Sequence, residues 1–488
     1  MKNTTTVLKS FCFIFVTLGF LGCPEATSEK NSTKNSALFH CKATESSLNS
    51  LQVLSDQTQL NLLLKMSDIK NQLPAFQEAI AAAHSLAPQL EKFRISQVSP
   101  DIISLSLSAK SPARAVVESF IQQGKILFAE PNYKTFSTEF GDTTVVENIA
   151  EELSQSPATS AATAHGQEII VAIIDSGVDY THKDLAPYMW HNPGEIPNNG
   201  IDDDHNGFID DYYGYDFVNN DSDPMSDDKK SYHGTHVAGI VKAAAQLARS
   251  GINLKIMAVK YLDANGSGWT ANAIKAIDYA IKNGAVVLNN SWGSMNASRA
   301  LSEAIDRARQ AHILFVAAAG NGDASGNGIN IDRIPFYPAG YPQDNIISVA
   351  ASGNGDSLTR FSNYGRIGVD VAAPGLNIRS TRNGNTYAVL SGTSMASPYV
   401  AGVAAMIWNV RPDLSYLEVR DILFKSVTAA PILWGKVATS GRIDPVRAFS
   451  LAQSYIQHSF RNTNPNTTDS QDCSLPVAPM DLREELTQ

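Results

Sequence analysis

A chain of 488 residues exceeds one ordinary domain, and its 43% hydrophobic and 18% charged residues describe a globular protein, not a disordered or fibrous one. The 48 acidic residues outnumber 38 basic ones for a formal charge of −10 with no basic run, so no nucleic-acid partner is expected. Four cysteines are too few for a disulfide scaffold.

Lys2 and Lys9 precede or border an apolar stretch ending at Gly22 that is too short to span a bilayer, so residues 1–22 are expected to be an export signal. The segment Phe20-Leu21-Gly22-Cys23 resembles a bacterial lipobox. Two readings stay open there: a lipid on Cys23 with anchoring to the membrane, or ordinary signal cleavage. Cys12 leaves with the signal; Cys41 and Cys473 remain, and no spacing establishes whether they pair. Residues 23–37 read as a polar linker.

Residues 38–138 read as a small α+β unit, with helical stretches at Leu60–Ser67 and Pro74–Ala87 and strands at Ile102–Leu107 and Lys125–Phe128. The small, polar residues of 139–166 suit an exposed, cleavable linker. From 167 to 455 short apolar runs alternate with longer helical segments. Strands are expected at Ile169–Ile174, Lys255–Val259, Val286–Asn289, Ile313–Ala318 and Ile346–Ala350, and helices at Thr235–Leu247, Thr270–Asn283, Ala297–Gln310 and Met395–Trp408. Fully apolar strands between helices predict a doubly wound, mainly parallel α/β sheet covered on both faces. Residues 456–488 lose periodicity and read as a polar tail.

Three segments place reactive residues where elements meet. Asp175 ends the apolar run VAIID, His233 stands at a helix start in HGTHVAG, and Ser394 stands at another in GTSMASP, where helix N–H groups favour an alkoxide or oxyanion. Singly, Asp175 and Ser394 read as well as caps. His236 lies three residues after His233, without the Glu and four-residue step of a zinc-protease helix, and is expected to pack inside its helix. Together the three supply nucleophile, base and orienting carboxylate, in the order Asp, His, Ser.

The blocks DSGVD, HGTHVAG and GTSMASP resemble the three signatures of the subtilase family over about 167–454. The resemblance implies a serine endopeptidase with Asp175, His233 and Ser394 as triad, and assigns Asn321 in FVAAAGNG to the oxyanion hole beside the Ser394 N–H. It implies that Ser291, Trp292 and Gly293 face Gly266, Ser267 and Gly268 across a cleft in which a polypeptide substrate adds as a strand. Residues 125–136 resemble the last strand of a subtilisin-type propeptide, so 38–138 are expected to act as an intramolecular inhibitor, with self-cleavage between Thr138 and Gly166. An exported monomer, secreted or held at a bacterial cell envelope, follows. A catalytically silent binding scaffold would normally lose one of these four residues, and an esterase could share the same triad.

In residues 199–211, Asp202, Asp204, Asn206 and Asp210 fall at positions 1, 3, 5 and 9 of an EF-hand-like loop, with Gly207 at the turn, the Phe208 carbonyl at position 7 and Asp211 in reserve for the missing Glu. Such acidic insertions between the Asp and His blocks resemble calcium loops of many subtilases, and calcium is the expected cofactor. Asp184 matches a ligand of a different calcium site of the family, whose usual loop after the His block is absent.

Overall fold

The computed structural model describes Ser47 and residues 59–87, 89–90, 92–138, 167–227, 231–247 and 251–455. The signal 1–22, the linkers 23–37 and 139–166, Cys23, Cys41, Cys473 and the tail 456–488 lie outside them. Among the described residues no helix is long and apolar enough to cross a membrane.

The amino-terminal unit runs β1 (Gln59–Met66), α1 (Ile69–Ser85), β2 (Arg94–Ser99), β3 (Ile102–Ser108), α2 (Ala113–Gln122), β4 (Ile126–Pro131) and β5 (Lys134–Ser137). Its antiparallel sheet has the order β2-β3-β1-β4. The expected helix at Leu60–Ser67 is instead the central strand β1, and the cause is burial on both faces. Leu60, Leu62 and Leu64 pack with Phe76 and Phe120 of α1 and α2. Leu63 points the other way, into a core shared with Ile274 and Leu301 of the following domain. A strand covered on both sides loses its period of two and reads as a continuous apolar run.

The larger domain holds β6 (Ile169–Asp175), β7 (Gly214–Asp216), α3 (His233–Ala245), β8 (Leu254–Lys260), β9 (Ser267–Trp269), α4 (Thr270–Lys282), β10 (Val287–Asn290), β11 (Trp292–Gly293) and α5 (Arg299–Gln310). It continues with β12 (Leu314–Ala318), β13 (Ile346–Ser352), β14 (Val371–Pro374), β15 (Ile378–Arg382), β16 (Thr386–Leu390), α6 (Thr393–Val410), α7 (Tyr416–Lys425), β17 (Thr428–Ala429), β18 (Gly441–Arg442) and α8 (Pro445–Ser454). The main sheet has nine strands in the order β17-β18-β14-β13-β12-β10-β6-β8-β7. All its pairs are parallel except β17 with β18. After β6 the chain forms β7 and β8 on one side and then β10 on the other. The order therefore reverses beside β6, and its last residue, Asp175, stands at the crevice where open α/β sheets build their sites.

The two units share more than the Leu63 contact. Phe128 and Val98 enter the same core, each contributing about 1.5–3 kcal/mol if fully buried. Glu130 accepts hydrogen bonds from Ser298 Oγ (2.6 Å) and from the N–H groups of Arg299 (2.9 Å) and Ala300 (3.1 Å), so a carboxylate of the first unit caps helix α5 of the second.

One largely enclosed carboxylate, 16% exposed and 3.6 Å from the Arg420 guanidinium, which opposes the shift, sets a pH dependence. Asp370, just before β14, accepts the Ser348 N–H at 2.8 Å, and burial raises its carboxyl to about 6. A raised native pKa favours the protonated form, so this stability is present below the unfolded value and lost as pH rises through about 6. From 3.8 to about 6 the cost reaches roughly 3 kcal/mol. Asp370→Asn is expected to raise the melting temperature by a few degrees at pH 8 and leave it unchanged at pH 4; an equal shift at both would contradict the burial argument.

Candidate active site

Asp175 is fully buried at the end of β6 and accepts the Ser176 N–H at 2.7 Å through Oδ1. The same oxygen lies 2.7 Å from His233 Nδ1. His233 is the first residue of α3, a register two residues earlier than expected, so the start of the helix fixes its backbone. Gly234 makes this approach possible: a Cβ there would lie 2.3 Å from the Gly177 carbonyl and 3.1 Å from Asp175 Cβ. His236 is buried with Nε2 at 3.0 and 3.1 Å from the carbonyls of Ile378 and Ala388, and burial lowers its pKa to about 3. It packs inside its helix, as expected, as a neutral donor to those carbonyls.

Ser394 is the second residue of α6, inside the helix and not its cap. Helix α6 packs alongside α3, which brings the first turns of both to the sheet's carboxyl edge. Pro398 lies in the second turn and lacks the N–H that would bond the Ser394 carbonyl four residues back. That carbonyl is taken instead by the Ser291 hydroxyl at 3.0 Å, which also meets Ser397 Oγ at 3.0 Å. The exchange ties the serine turn to the segment between β10 and β11.

Asn321 follows β12. Its Oδ1 accepts from the Thr393 N–H (2.9 Å) and Thr393 Oγ1 (2.8 Å), which assigns the amide so that Nδ2 is left to face the cleft. Thr393 therefore positions Asn321, a role that no spacing in the sequence announces.

The cleft between the two expected walls is filled by the amino-terminal unit. Strand β5 pairs antiparallel with β11, Ser137 beside Trp292 and Phe136 beside Gly293, and with β9 on its other side, Thr135 beside Gly268 and Phe136 beside Ser267. The Ser137 N–H donates to the Gly266 carbonyl at 2.8 Å and the Thr138 N–H to the Ser291 carbonyl at 3.1 Å. The Thr138 carbonyl oxygen accepts from Asn321 Nδ2 at 2.5 Å and from the Ser394 N–H at 3.2 Å. Ser394 Oγ lies 2.7 Å from Thr138 Oγ1 and 3.1 Å from the Ser291 carbonyl. Geometrically the structure thus joins Asp175 with His233, and Ser394 with Asn321 and Ser291, and a backbone carbonyl lies on the donors an oxyanion needs.

The acidic loop is more divided than expected. Asp202 accepts the N–H groups of Asn206 and Gly207, both at 2.9 Å, and Asp204 accepts Asn206 N–H at 2.8 Å. Asn206 Oδ1 caps the Phe208 N–H at 2.7 Å. Asp210 turns to the N–H groups of Asn199 (2.9 Å) and Gly200 (2.8 Å), as Asp202 does to those of Asn206 and Gly207. Asp211 is fully buried, accepts the Tyr279 hydroxyl at 2.6 Å, and is raised by burial to about 6. Asp184 accepts the Tyr387 hydroxyl at 2.6 Å, away from this loop. Glu195, which the twelve-residue frame left out, brings an oxygen within 4.8 Å of Asp202 and Asp204 oxygens. It is 6% exposed, its Oε1 accepts Asp203 N–H at 3.0 Å, and its buried Oε2 has no hydrogen-bond partner among the described residues.

A parallel α/β sheet carrying an Asp–His pair and a helix-borne serine beside an oxyanion donor defines a serine-hydrolase type of site. The family model described as the subtilase family matches residues 166–459, and the chain belongs to that family. It is 40% identical over 308 residues to the thermophilic serine proteinase of Bacillus sp. (strain AK1), covering 60% of this chain and 66% of that one. It is 36% identical over 304 residues to subtilisin-like protease 1 of Plasmodium vivax, covering 58% of this chain and 47% of that one. The chain spans about half the length of the Plasmodium relatives it matches. The crystal structure of fervidolysin from Fervidobacterium pennivorans, a keratinolytic enzyme related to subtilisin, superposes with a TM-score of 0.59 at 23% identity, covering 80% of this chain and 61% of that one. That likeness agrees with the doubly wound fold.

Proposed function

We propose that this chain is an exported serine endopeptidase made as a zymogen, with residues 38–138 as its inhibitory propeptide and the Thr138–Glu139 bond as the one it cuts in itself. The observation that carries this reading is the Thr138 carbonyl held by Asn321 Nδ2 and the Ser394 N–H, with Ser394 Oγ alongside. Ser394 Oγ attacks a peptide carbonyl carbon while His233 takes its proton, with Asp175 holding Nδ1–H and stabilising the imidazolium. The tetrahedral oxyanion is received by Asn321 and the Ser394 N–H. Collapse breaks the C–N bond, His233 returns the proton to the leaving amine, and water releases the acyl group by the same steps.

Main-chain pairing on both sides of β5 favours extended polypeptides over simple esters, and retention of all four groups argues against a silent scaffold. Export rests on residues 1–22, with Cys23 as the site of an anchor if a lipid is attached, and the enzyme is expected to work as a monomer. The test incubates the purified full chain with casein and identifies the new ends by mass spectrometry. Casein should be cut, and the released fragment should end at Thr138. An uncut casein would overturn the assignment, and a different end would relocate the processing bond.

We also propose calcium at the acidic loop, held by Glu195, Asp202 and Asp204 with Asn206, the Phe208 carbonyl and Asp211 close by. The unpartnered, buried Glu195 Oε2 supports a cation, since an isolated carboxylate oxygen is costly to bury. Oxygen donors suit calcium, which would neutralise the loop's repulsion and brace it. A chelator should lower the melting temperature, because a ligand at 100 times its Kd contributes about 2.7 kcal/mol. Glu195→Gln should weaken that response, and a chelator-insensitive melting temperature would count against the site.

A further inference from the structure

Strand β5 shows which side chains the cleft encloses. Alternate residues face opposite ways, so Thr135 is 2% exposed while Phe136 is 49% exposed. Thr135 Oγ1 lies 3.3 Å from the Tyr261 hydroxyl and 3.3 Å from the Gly268 carbonyl. A carbonyl only accepts, so the threonine hydroxyl donates to Gly268 and receives from Tyr261.

Tyr261 is built into the floor of the cleft. It is fully buried, its ring meets Trp292 edge-on at 4.9 Å between centroids, and its N–H donates to the Asp175 carbonyl at 2.9 Å. Gly268 leaves it room: a Cβ there would lie 2.7 Å from Tyr261 Cε2. Burial lifts the phenol well above its ordinary pKa, so the hydroxyl keeps its proton and remains a donor. Leu262, also fully buried, lies beside Gly268, the residue opposite Thr135 on β9.

We propose that Tyr261 determines specificity, selecting threonine or serine as the fourth residue on the amino side of the bond that is cut. This rests on the endopeptidase reading, with Lys134–Thr138 lying as a substrate does. Valine has the shape of threonine but no acceptor, so it would leave the Tyr261 hydroxyl buried without a partner. A large side chain would have to displace Tyr261.

The test uses internally quenched peptides of the sequence Lys-Thr-Phe-Ser-Thr-Glu-Phe-Gly, with threonine, serine, valine or alanine at the second position, and the self-processed enzyme. Wild type should cleave the threonine peptide with kcat/KM about tenfold above the valine peptide, and the serine peptide above the alanine one. In Tyr261→Phe the threonine and valine peptides should fall within about twofold of each other; the ratio is taken within one enzyme, so a change in active fraction cancels. Equal cleavage of threonine and valine peptides by wild type, serine no better than alanine, or an undiminished ratio in Tyr261→Phe would overturn the inference while leaving the endopeptidase reading intact. Failure to cut any of these peptides or casein would remove that reading too.

Discussion

Ser394→Ala is expected to abolish casein hydrolysis to within about one part in a million of the wild-type turnover, the loss known for removing the equivalent nucleophile of subtilisin. The large figure follows from the way the site is assembled. His233 and Asp175 form a pair at 2.7 Å whose proposed task is to take a proton and hold the resulting charge. Without an oxygen on residue 394 that pair has nothing to activate, so its contribution disappears with the nucleophile's. The backbone N–H of residue 394 and Asn321 Nδ2 remain, which is why a residual rate above that in water is expected. The same variant should accumulate as an uncut chain, since Thr138 would still sit on the two donors with no nucleophile beside it. Substrate turnover and the mass of the purified chain report the two effects separately. Casein cleavage equal to wild type would sink the triad assignment, and normal processing of the inactive variant would mean that another protease cuts the 139–166 segment.

Much of this site was legible before any coordinates because its groups sit at element boundaries. Asp175 closes a run of apolar residues and His233 and Ser394 open helices, so the three blocks carry both local structure and chemistry. What stayed hidden depends on contacts distant in sequence. Thr393 orients Asn321 from 72 positions away, and nothing in either segment marks the pairing. Glu195 lies outside the periodic frame of the acidic loop and joins it only through the turn that brings it to Asp202 and Asp204. Asp210 fits that frame by spacing, and its carboxylate also closes the turn at Asn199 and Gly200, a contact the spacing does not show. Strand β1 misled for a related reason: the second unit buries the face that would otherwise have been polar, so pattern alone could not separate strand from helix. In each case the missing information was which surface meets which, and that is a property of the fold as a whole.

The second large effect concerns the amide. Asn321→Leu keeps the branched shape of the side chain and removes its donor, and is expected to lower kcat about 100- to 1000-fold, or roughly 2.7–4 kcal/mol, with a small change in KM. The reference magnitude is that of the equivalent asparagine in subtilisin. The split between the two constants follows from what the amide does. In the ground state the carbonyl oxygen of a bound peptide carries only a partial charge, and in the proposed binding mode strand pairing with β9 and β11, as β5 makes it, supplies the bulk of the binding. In the tetrahedral intermediate that oxygen carries a full charge, and the amide bond strengthens with it, so the loss falls on turnover. Thr393→Val offers the control for positioning. It deletes one of the two hydrogen bonds that aim the amide, and with it the acceptor of the Gly320 N–H, and leaves the Thr393 N–H in place, so its effect should be smaller than that of Asn321→Leu and should largely vanish in the double variant. Additive losses in the double variant would show that Thr393 acts on something other than Asn321. Kinetics on one peptide across the four enzymes decides between these outcomes, and a fall in kcat/KM carried by KM alone would place Asn321 in substrate binding, outside oxyanion stabilisation.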